Sequence, residues 1–219
     1  METCKVDLSN DRINKLICAY LDAKEFIIRK GYGQEIDWQE NLNIQSISET
    51  DFLREAAWVI LSVGMKESVI RGLFKKFSDA FLNWECAEKI NEYNKQCKFE
   101  ALKVFNNERK INAIIHIAQI VARDSFETVY EKIRNFGTEY LETFPFVGPA
   151  ASCHLAKNIG LNIAKPDRHL IRVSQACGFR TPNELCSTLS AIVGDDISTI
   201  DLVIWRYATL KSQYLELFI

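Results

Sequence analysis

The residues best suited to chemistry lie in one stretch, residues 138–173, which reads TEYLETFPFVGPAASCHLAKNIGLNIAKPDRHLIRV. An apolar turn at residues 145–149 precedes a helix-forming segment, and the N–H groups at the start of such a helix form a natural phosphate site. Gly148 allows a phosphate to approach the backbone closely. Asp167 follows at the start of another predicted helix, where the helix dipole favours its ionised form. This stretch therefore predicts a phosphate anchor and a carboxylate close together along the chain.

Three predicted helices position these groups. A short helix ends at Phe144, and a second helix follows the turn and ends at Gly160, a typical C′ glycine. A third helix is predicted to begin at Pro166, because proline is favoured in the first helical turn. Asp167 then stands at a helix N-terminus, where capping the helix is an alternative role for its side chain.

The N-terminal half of the chain also predicts helices. Residues 10–30 carry apolar side chains at helical spacing, whereas residues 31–47 predict a loop. A capping box at residues 48–51 begins a helix that breaks at Gly64 and Met65 and then resumes.

Capping boxes at residues 181–184 and 198–201 begin two further helices, and three or four more are expected between Trp84 and Gly137. No segment alternates as a strand would, so the predicted fold class is all-α.

Composition narrows the class of protein. The chain has 219 residues, of which 47% are hydrophobic and 26% are charged, as in ordinary globular proteins. No apolar run is long enough to span a bilayer, and the start METCKVDLSN lacks a signal-peptide pattern, so we expect a cytoplasmic protein without a membrane partner. The net charge of -2 counts mildly against a nucleic-acid-binding protein, although a local patch needs no overall excess.

The seven cysteines include no CxxC pair, which argues against a disulfide framework. Cys177 and Cys186 lack the closely spaced companions of an iron–sulfur site. We therefore expect reduced thiols, no iron–sulfur cluster and no other cofactor.

The stretch around Asp167 resembles the helix-hairpin-helix DNA glycosylase superfamily, which includes endonuclease III, adenine glycosylase, alkyladenine glycosylase and 8-oxoguanine glycosylase. The family's Leu-Pro-Gly-Val-Gly hairpin corresponds to residues 144–148, within a predicted motif at 138–160. The family's Asp-x-His-x-x-Arg-Val run corresponds to residues 167–173. Residues 60–69 and 105–115 also resemble family segments, so the resemblance extends over about residues 50–175.

The resemblance implies a two-lobed helical fold with the active cleft between the lobes. The whole chain, residues 1–219, would form one such unit. Lobe A would comprise residues 1–47 and 150–219, and lobe B residues 48–149.

The resemblance also implies roles for individual residues. Asp167 would be the catalytic carboxylate, with N-terminal capping as its structural alternative, and Met65 with Lys66 would fill the gap left by a flipped base. The implied DNA contacts are Phe146, Val147, Gly148, Ala150, Met65, Lys66, Arg168, His169 and Arg172. The implied base-pocket residues are Trp58, His154, Trp205 and Tyr207. No resident metal is expected, apart from a monovalent cation that hairpin carbonyls hold in relatives.

Some of these residues have structural alternatives that the sequence leaves open. Arg172 is equally suited to an internal salt bridge, and His169 is better suited to a structural hydrogen bond that links the lobes. A tryptophan in the position of Trp58 is more often a core residue than a pocket residue.

Two departures from the family pattern matter. Phe146 replaces the first hairpin glycine, which puts one close approach of the backbone to DNA in doubt. Ala150 stands where bifunctional members carry a nucleophilic lysine, and Lys157 lies two helical turns further along. The resemblance together with Ala150 implies a monofunctional enzyme that leaves an abasic site. We also expect a monomer that acts on double-stranded DNA.

The substrate divides into two branches. One is a damaged base in base-excision repair, and the other is a modified base in phage DNA, such as glucosylated hydroxymethylcytosine, removed in antiviral defence. A non-catalytic DNA-binding protein and a bifunctional glycosylase with lyase activity are the alternative functions.

Overall fold

Helices account for nearly all regular structure in this protein, for which a computed structural model describes residues 10–219. The α-helices are α1 (Asn10–Ile27), α2 (Gly33–Glu40), α3 (Glu49–Ser62), α4 (Glu67–Ala80), α5 (Ala87–Glu92), α6 (Asn94–Val104), α7 (Glu108–Asp124), α8 (Phe126–Phe136), α9 (Thr138–Leu141), α10 (Pro149–Asn158), α11 (Arg168–Ala176), α12 (Pro182–Val193) and α13 (Ile197–Leu210). A π-helical turn (Ile28–Tyr32) and 3-10 turns (Ile44–Ser46, Leu82–Trp84, Tyr214–Leu217) complete the set. The described residues contain no strand, so the all-α prediction is confirmed for them.

The chain divides into two compact units. Unit 1 contains residues 10–42 and Asn162–Ile219, and unit 2 contains Asn43–Leu161. Residues 43–47 and α10 thus belong with the middle of the chain, whereas the predicted lobes grouped them with the termini.

Unit 1 has a core built from α1, α2 and α11 to α13. Leu16 and Tyr20 of α1 lie in one buried cluster with Leu170 and Val173 of α11 and with Val203 of α13. The apolar side chains at helical spacing in residues 10–30 therefore form the face of α1 that is buried in this core.

The loop predicted over residues 31–47 is wrong in its middle, where α2 forms. Gly31 has a φ of 89° and bends the chain out of α1. Ile36 and Gln39 of α2 are buried, and Arg206 of α13 makes a two-bond ion pair with Glu35. These contacts with distant residues stabilise a helix for which the local sequence gives little signal.

Unit 2 is built around α7, which packs on α3 and α5. The predicted helix start at Ser48 is confirmed, because its hydroxyl accepts a hydrogen bond from the Asp51 N–H at 3.1 Å. The predicted break is also confirmed, since α3 ends at Ser62 and α4 begins at Glu67.

Three other predicted helix ends can be compared with their cap geometry. Thr181 caps α12 as predicted, by accepting from the Glu184 N–H at 3.1 Å. The start predicted at Pro166 is wrong by two residues, because Asp167 itself is the N-cap and α11 begins at Arg168. The start predicted at Ser198 is also wrong, since α13 begins at Ile197 after Asp196 and Ser198 is buried inside the helix.

Two general properties concern the described residues as a whole. No helix in residues 10–219 combines the length and the apolar character needed to cross a membrane. None of the six cysteines in this range forms a disulfide.

Candidate functional site

The hairpin between α9 and α10 is fixed by its apolar side chains. Phe144 and Val147 are buried, and the Val147 N–H donates to the Phe144 carbonyl at 3.1 Å. The Phe144 ring packs against Phe52 of α3, with centroids 6.0 Å apart. Gly148 is the N-cap of α10, and Pro149 occupies its first position. The turn is therefore anchored from inside unit 2.

The tip of the hairpin carries backbone N–H groups that are not used within the protein. Among residues 10–219, no acceptor lies opposite the N–H groups of Phe146, Gly148, Ala150 and Ala151. Of the predicted DNA contacts in the hairpin, Val147 already donates its N–H within the protein, whereas Gly148 and Ala150 keep a free donor. Such a set of donors at a helix start is suited to binding an anion.

Phe146 has a backbone conformation that is more typical of glycine. Its φ of 65° lies in the left-handed region, which a glycine adopts without strain. Gly148 has an extended backbone with ψ of -176°, and a Cβ added there would meet no atom within 4 Å. The hairpin backbone thus remains open to a ligand at Gly148, while the Phe146 side chain projects from the neighbouring position.

The hairpin carbonyls are the atoms to which a monovalent cation would bind. Within the described part of the chain, the carbonyls of Pro145, Phe146 and Val147 accept no backbone hydrogen bond. Three oxygen donors are therefore available, which fits the hard-cation preference for oxygen. The cation itself stays a prediction.

Helix α10 is attached to α3 by a polar contact. The Asn158 amide donates to Glu55 Oε2 at 2.9 Å, and Arg54 lies 3.3 Å from the other oxygen. Burial raises the pKa of the Glu55 carboxyl, against the opposite effects of Arg54 and Asn158. At the start of α10, the Ser152 hydroxyl lies 3.1 Å from Glu142 Oε1 and ties the two arms of the hairpin together.

The turn between α3 and α4 presents Met65 and Lys66. Gly64 has a φ of 71° and reverses the chain, and the Met65 N–H donates to the Ser62 carbonyl at 3.0 Å. Met65 is 40% exposed, and Lys66 is an exposed N-cap residue whose side chain makes no cap hydrogen bond. An exposed apolar side chain on a short turn suits the predicted gap-filling role.

Lys110 holds this turn in place. Its ammonium donates to the carbonyls of Leu61 at 2.7 Å and Val63 at 2.6 Å, which are at the C-terminal end of α3. Lys110 is only 5% exposed, and this burial lowers the pKa of its ammonium group. Asn107 caps α7 within residues 105–115, but the local sequence gives no signal for the contact of Lys110 with α3.

Asp167 combines a structural role with an unused oxygen. Its Oδ1 accepts from the His169 N–H at 2.8 Å and from the Leu170 N–H at 2.9 Å. In residues 10–219, Oδ2 has no hydrogen-bond partner, and the side chain is half-buried. The capping role and a chemical role are therefore compatible, because each uses a different oxygen.

The connection before Asp167 is held by α12 and α13. The Lys165 N–H donates to Asp201 Oδ2 at 2.6 Å, and Asp201 is buried. Asn162 bonds both to Asp196 and to the Ser198 N–H. The sequence predicts a capping-box role for Asp201, whereas its carboxylate fixes the segment that leads into Asp167.

The neighbours of Asp167 differ in their exposure. Arg168 and Arg172 are exposed, and Arg168 Nε lies 3.2 Å from His169 Nε2. The His169 ring packs edge-on against Tyr214 at 5.2 Å, and burial lowers the pKa of His169. His169 therefore has a packing contact of the kind that its structural alternative requires, and the two exposed arginines stay candidates for contacts with phosphate.

The four predicted pocket residues lie in different surroundings. Trp58 packs edge-on against Phe74 of α4 at 5.0 Å, and His154 is half-buried on α10, both in unit 2. Trp205 and Tyr207 belong to α13 and pack against the core of unit 1. These contacts resemble core packing, and the pocket assignment stays a prediction.

Two further features of the described residues concern ligands. No group of three or more His, Cys, Asp or Glu side chains in residues 10–219 is arranged to hold a metal ion. A groove of about 540 Å³ in unit 1 lies between α1 and the C-terminal residues, and none of the predicted site residues lines it.

Comparison with known proteins adds no family assignment. No protein-family model matches the chain, and no curated protein sequence matches it. The function is therefore inferred from the residues themselves.

Proposed function

We propose that this chain is a monofunctional DNA glycosylase of the helix-hairpin-helix type, which hydrolyses the N-glycosidic bond of a flipped base. The observation that carries the proposal is the unused Oδ2 of Asp167, at the start of the helix that follows the hairpin. The free N–H groups of Gly148 and Ala150 are suited to binding a phosphate. The proposal includes the family's two-lobed fold, a DNA duplex as partner, a monomer, no cofactor and a cytoplasmic location.

The chemistry follows from the charge that develops in the reaction. As the bond between C1′ and the base breaks, the base takes the bonding electron pair and the sugar becomes positively charged. The Asp167 carboxylate stabilises this charge electrostatically and orients or deprotonates the water that adds to C1′. The products are the protonated free base and an abasic sugar. Extrusion of the base from the stack precedes these steps.

The absence of an amine at the start of α10 supports hydrolysis over lyase chemistry. A lyase needs a lysine that forms a Schiff base with C1′. Ala150 occupies that position, and Lys157 is buried at 6% exposure about 10 Å further along the helix axis. A covalent intermediate with this lysine would require a large rearrangement of α10.

The direct test is release of free base from DNA. Mass spectrometry of the products from a panel of damaged duplexes and modified phage genomes would identify the substrate branch. We expect Asp167→Asn to lower the rate at least about 100-fold, which is typical for loss of an electrostatic stabiliser, and to leave DNA binding intact. Asp79→Asn on the exposed side of α4 is the matched control and should keep the wild-type rate.

The alternatives give different outcomes in the same assay. A DNA-binding protein without activity would bind DNA and release no base from any substrate, and a wild-type rate for Asp167→Asn would contradict the role of this carboxylate. A bifunctional enzyme would give a covalent complex with DNA after borohydride reduction. Such a complex would overturn the monofunctional assignment.

A further inference from the structure

A phenylalanine at the hairpin tip holds a backbone conformation that is unfavourable for any residue with a Cβ atom. Phe146 has a φ of 65°, and the residue is 38% exposed, so it is not part of the buried core. Strained positions of this kind persist where the surrounding structure holds them and often occur at binding sites. The position of the Phe146 ring is therefore better explained by a contact with a partner than by packing within unit 2.

Arg109 covers this ring from the first turn of α7. Its guanidinium carbon lies 5.7 Å from the centroid of Phe146, within the range of a cation–π contact. Neighbouring Glu108 pairs with Lys98 at 2.7 Å, and Lys110 is bonded to α3. Arg109 makes no ion pair with any residue in the described range, so its charge is available to a partner.

The turn between α3 and α4 is joined by Lys110 to the first turn of α7, which also carries Arg109. Val63 and Met65 are 42% and 40% exposed, and Lys66 forms no ion pair among residues 10–219. We call Val63, Met65, Lys66, Arg109 and Phe146 the wedge face. It combines three exposed apolar side chains with two unpaired cations.

The charges near the wedge face favour a polyanion over another protein. The adjacent carboxylates are already neutralised, because Glu67 pairs with Arg71 and Glu108 pairs with Lys98. The free N–H groups of Gly148 and Ala150 add partial positive charge next to Phe146. Aromatic rings stack on any nucleobase, and apolar side chains that enter a base step unstack and kink DNA.

We propose that the Phe146–Arg109 pair is a second wedge, which stacks on an unpaired or unstacked base beside the phosphate bound by the hairpin. Arg109 orients the ring and contacts the DNA backbone. This proposal rests on the proposed function for the identity of the partner as DNA. It assigns to this chain a preference for DNA whose stacking is already interrupted.

The test compares two probes in a fluorescence anisotropy experiment with the full chain. One probe is a fully paired duplex, and the other is the same duplex with one unpaired nucleotide. We expect the wild-type protein to bind the second probe more tightly, and Phe146→Ala to weaken that binding about fivefold or more, as loss of one stacking contact predicts.

Two variants control for folding. Phe146→Gly removes the ring and also the backbone strain, so it should lose the preference without losing stability. Phe99 is another exposed phenylalanine of unit 2, and the Lys103 ammonium lies 4.2 Å from the centroid of its ring. Phe99→Ala should bind both probes as the wild type does.

Arg109 is tested by salt dependence. Arg109→Gln should weaken binding to both probes and reduce the slope of log affinity against log salt concentration by about 1, as loss of one phosphate contact predicts. Arg134→Gln, which removes an exposed arginine paired with Glu131, should leave the slope unchanged.

The outcomes separate this proposal from the proposed function. Equal preference for the unpaired probe in the wild type, Phe146→Ala and Phe146→Gly overturns the second wedge, even if base release continues. Failure of base release from every substrate overturns the glycosylase, even if the stacking preference is observed. Concentration-dependent dimerisation that Phe146→Ala abolishes would show that the face binds a second copy and would also overturn the second wedge.

Discussion

At the scale of single residues, Asp167 shows how one carboxylate can serve two purposes. Oδ1 takes both helix N–H groups, from His169 and Leu170, and Oδ2 takes none within the described chain. A cap fixes the side chain in a single orientation, which a catalytic group also requires. Stability and activity at this position should therefore respond differently to different substitutions.

Substitution of Asp167 by alanine should destabilise the protein, whereas substitution by asparagine should not. Asparagine is as good an N-cap as aspartate, while loss of the cap costs about 1 kcal/mol. Urea denaturation of Asp167→Ala, Asp167→Asn and the wild type measures the difference. An Asp167→Ala variant as stable as the wild type would show that the cap contributes little.

Glu55 predicts a dependence of stability on pH. Burial raises its folded-state pKa above the ordinary value of 4.5, so its contribution to stability is present below pH 4.5 and is lost as the pH rises through the folded pKa. Glu55→Gln cannot ionise and still presents an oxygen to Asn158. As the pH rises from about 4 to 7, the stability of Glu55→Gln relative to the wild type should therefore increase, as measured by the free energy of unfolding.

A matched substitution isolates the effect of burial on Glu55. Glu139→Gln removes an exposed carboxyl from α9 and should show the same difference from the wild type at both pH values. If Glu55→Gln behaves as Glu139→Gln does, ionisation of Glu55 has no cost in the folded protein.

At the scale of elements, the ends of helices determine where the candidate site residues lie. The end of α10 is a Schellman motif, in which the Gly160 N–H donates to the Lys157 carbonyl at 3.1 Å and the Leu161 N–H donates to the Ala156 carbonyl at 2.9 Å. The predicted C′ role of Gly160 is thus confirmed. The structure adds that the backbone at residues 43–44 packs directly on this glycine.

Gly160→Ala should therefore cost more than an ordinary C′ substitution. A Cβ at Gly160 would lie 2.5 Å from the Ile44 nitrogen, and its φ of 91° is unfavourable for alanine. Gly194 at the end of α12 has a φ of 84° and open space where a Cβ would stand, so Gly194→Ala isolates the conformational cost of about 1–2 kcal/mol.

Thermal unfolding of the two glycine variants gives the comparison. The close contact at Gly160 should add about 1–3 kcal/mol, which is typical of overpacking. Equal losses for both variants would show that the backbone at residues 43–44 moves without cost.

At the scale of the whole molecule, the two units differ in how their cores are assembled. Unit 2 is one continuous segment, Asn43–Leu161, whereas unit 1 combines α1 and α2 with helices more than a hundred residues later. In unit 1, α13 packs on both α1 and α2. Its core is therefore complete only when both parts of the chain are present.

We expect a fragment of residues 43–161 to fold alone and a fragment of residues 162–219 to remain unfolded. The first fragment contains every helix of the unit 2 core, while the second exposes the side of α13 that α1 covers. Circular dichroism with thermal melting distinguishes them. A cooperative melt of the 162–219 fragment would contradict this view of the unit 1 core.

Features that depend on neighbouring residues could be predicted from the sequence. The all-α class, the caps at Ser48 and Thr181, the break before Met65 and the end of α10 at Gly160 all follow from local signals. Caps and turns are encoded within a few residues, because their hydrogen bonds join atoms three or four residues apart.

Which atoms are used and which remain available depends instead on tertiary packing. The support of Val63 by Lys110, the cover of Phe146 by Arg109 and the formation of α2 all depend on contacts between residues far apart in the sequence. Such contacts leave no periodic pattern, because they are fixed by the packing of helices and not by neighbouring residues. The cap bonds of Asp167 Oδ1 are local, but whether Oδ2 meets a partner from elsewhere in the chain is decided by tertiary packing.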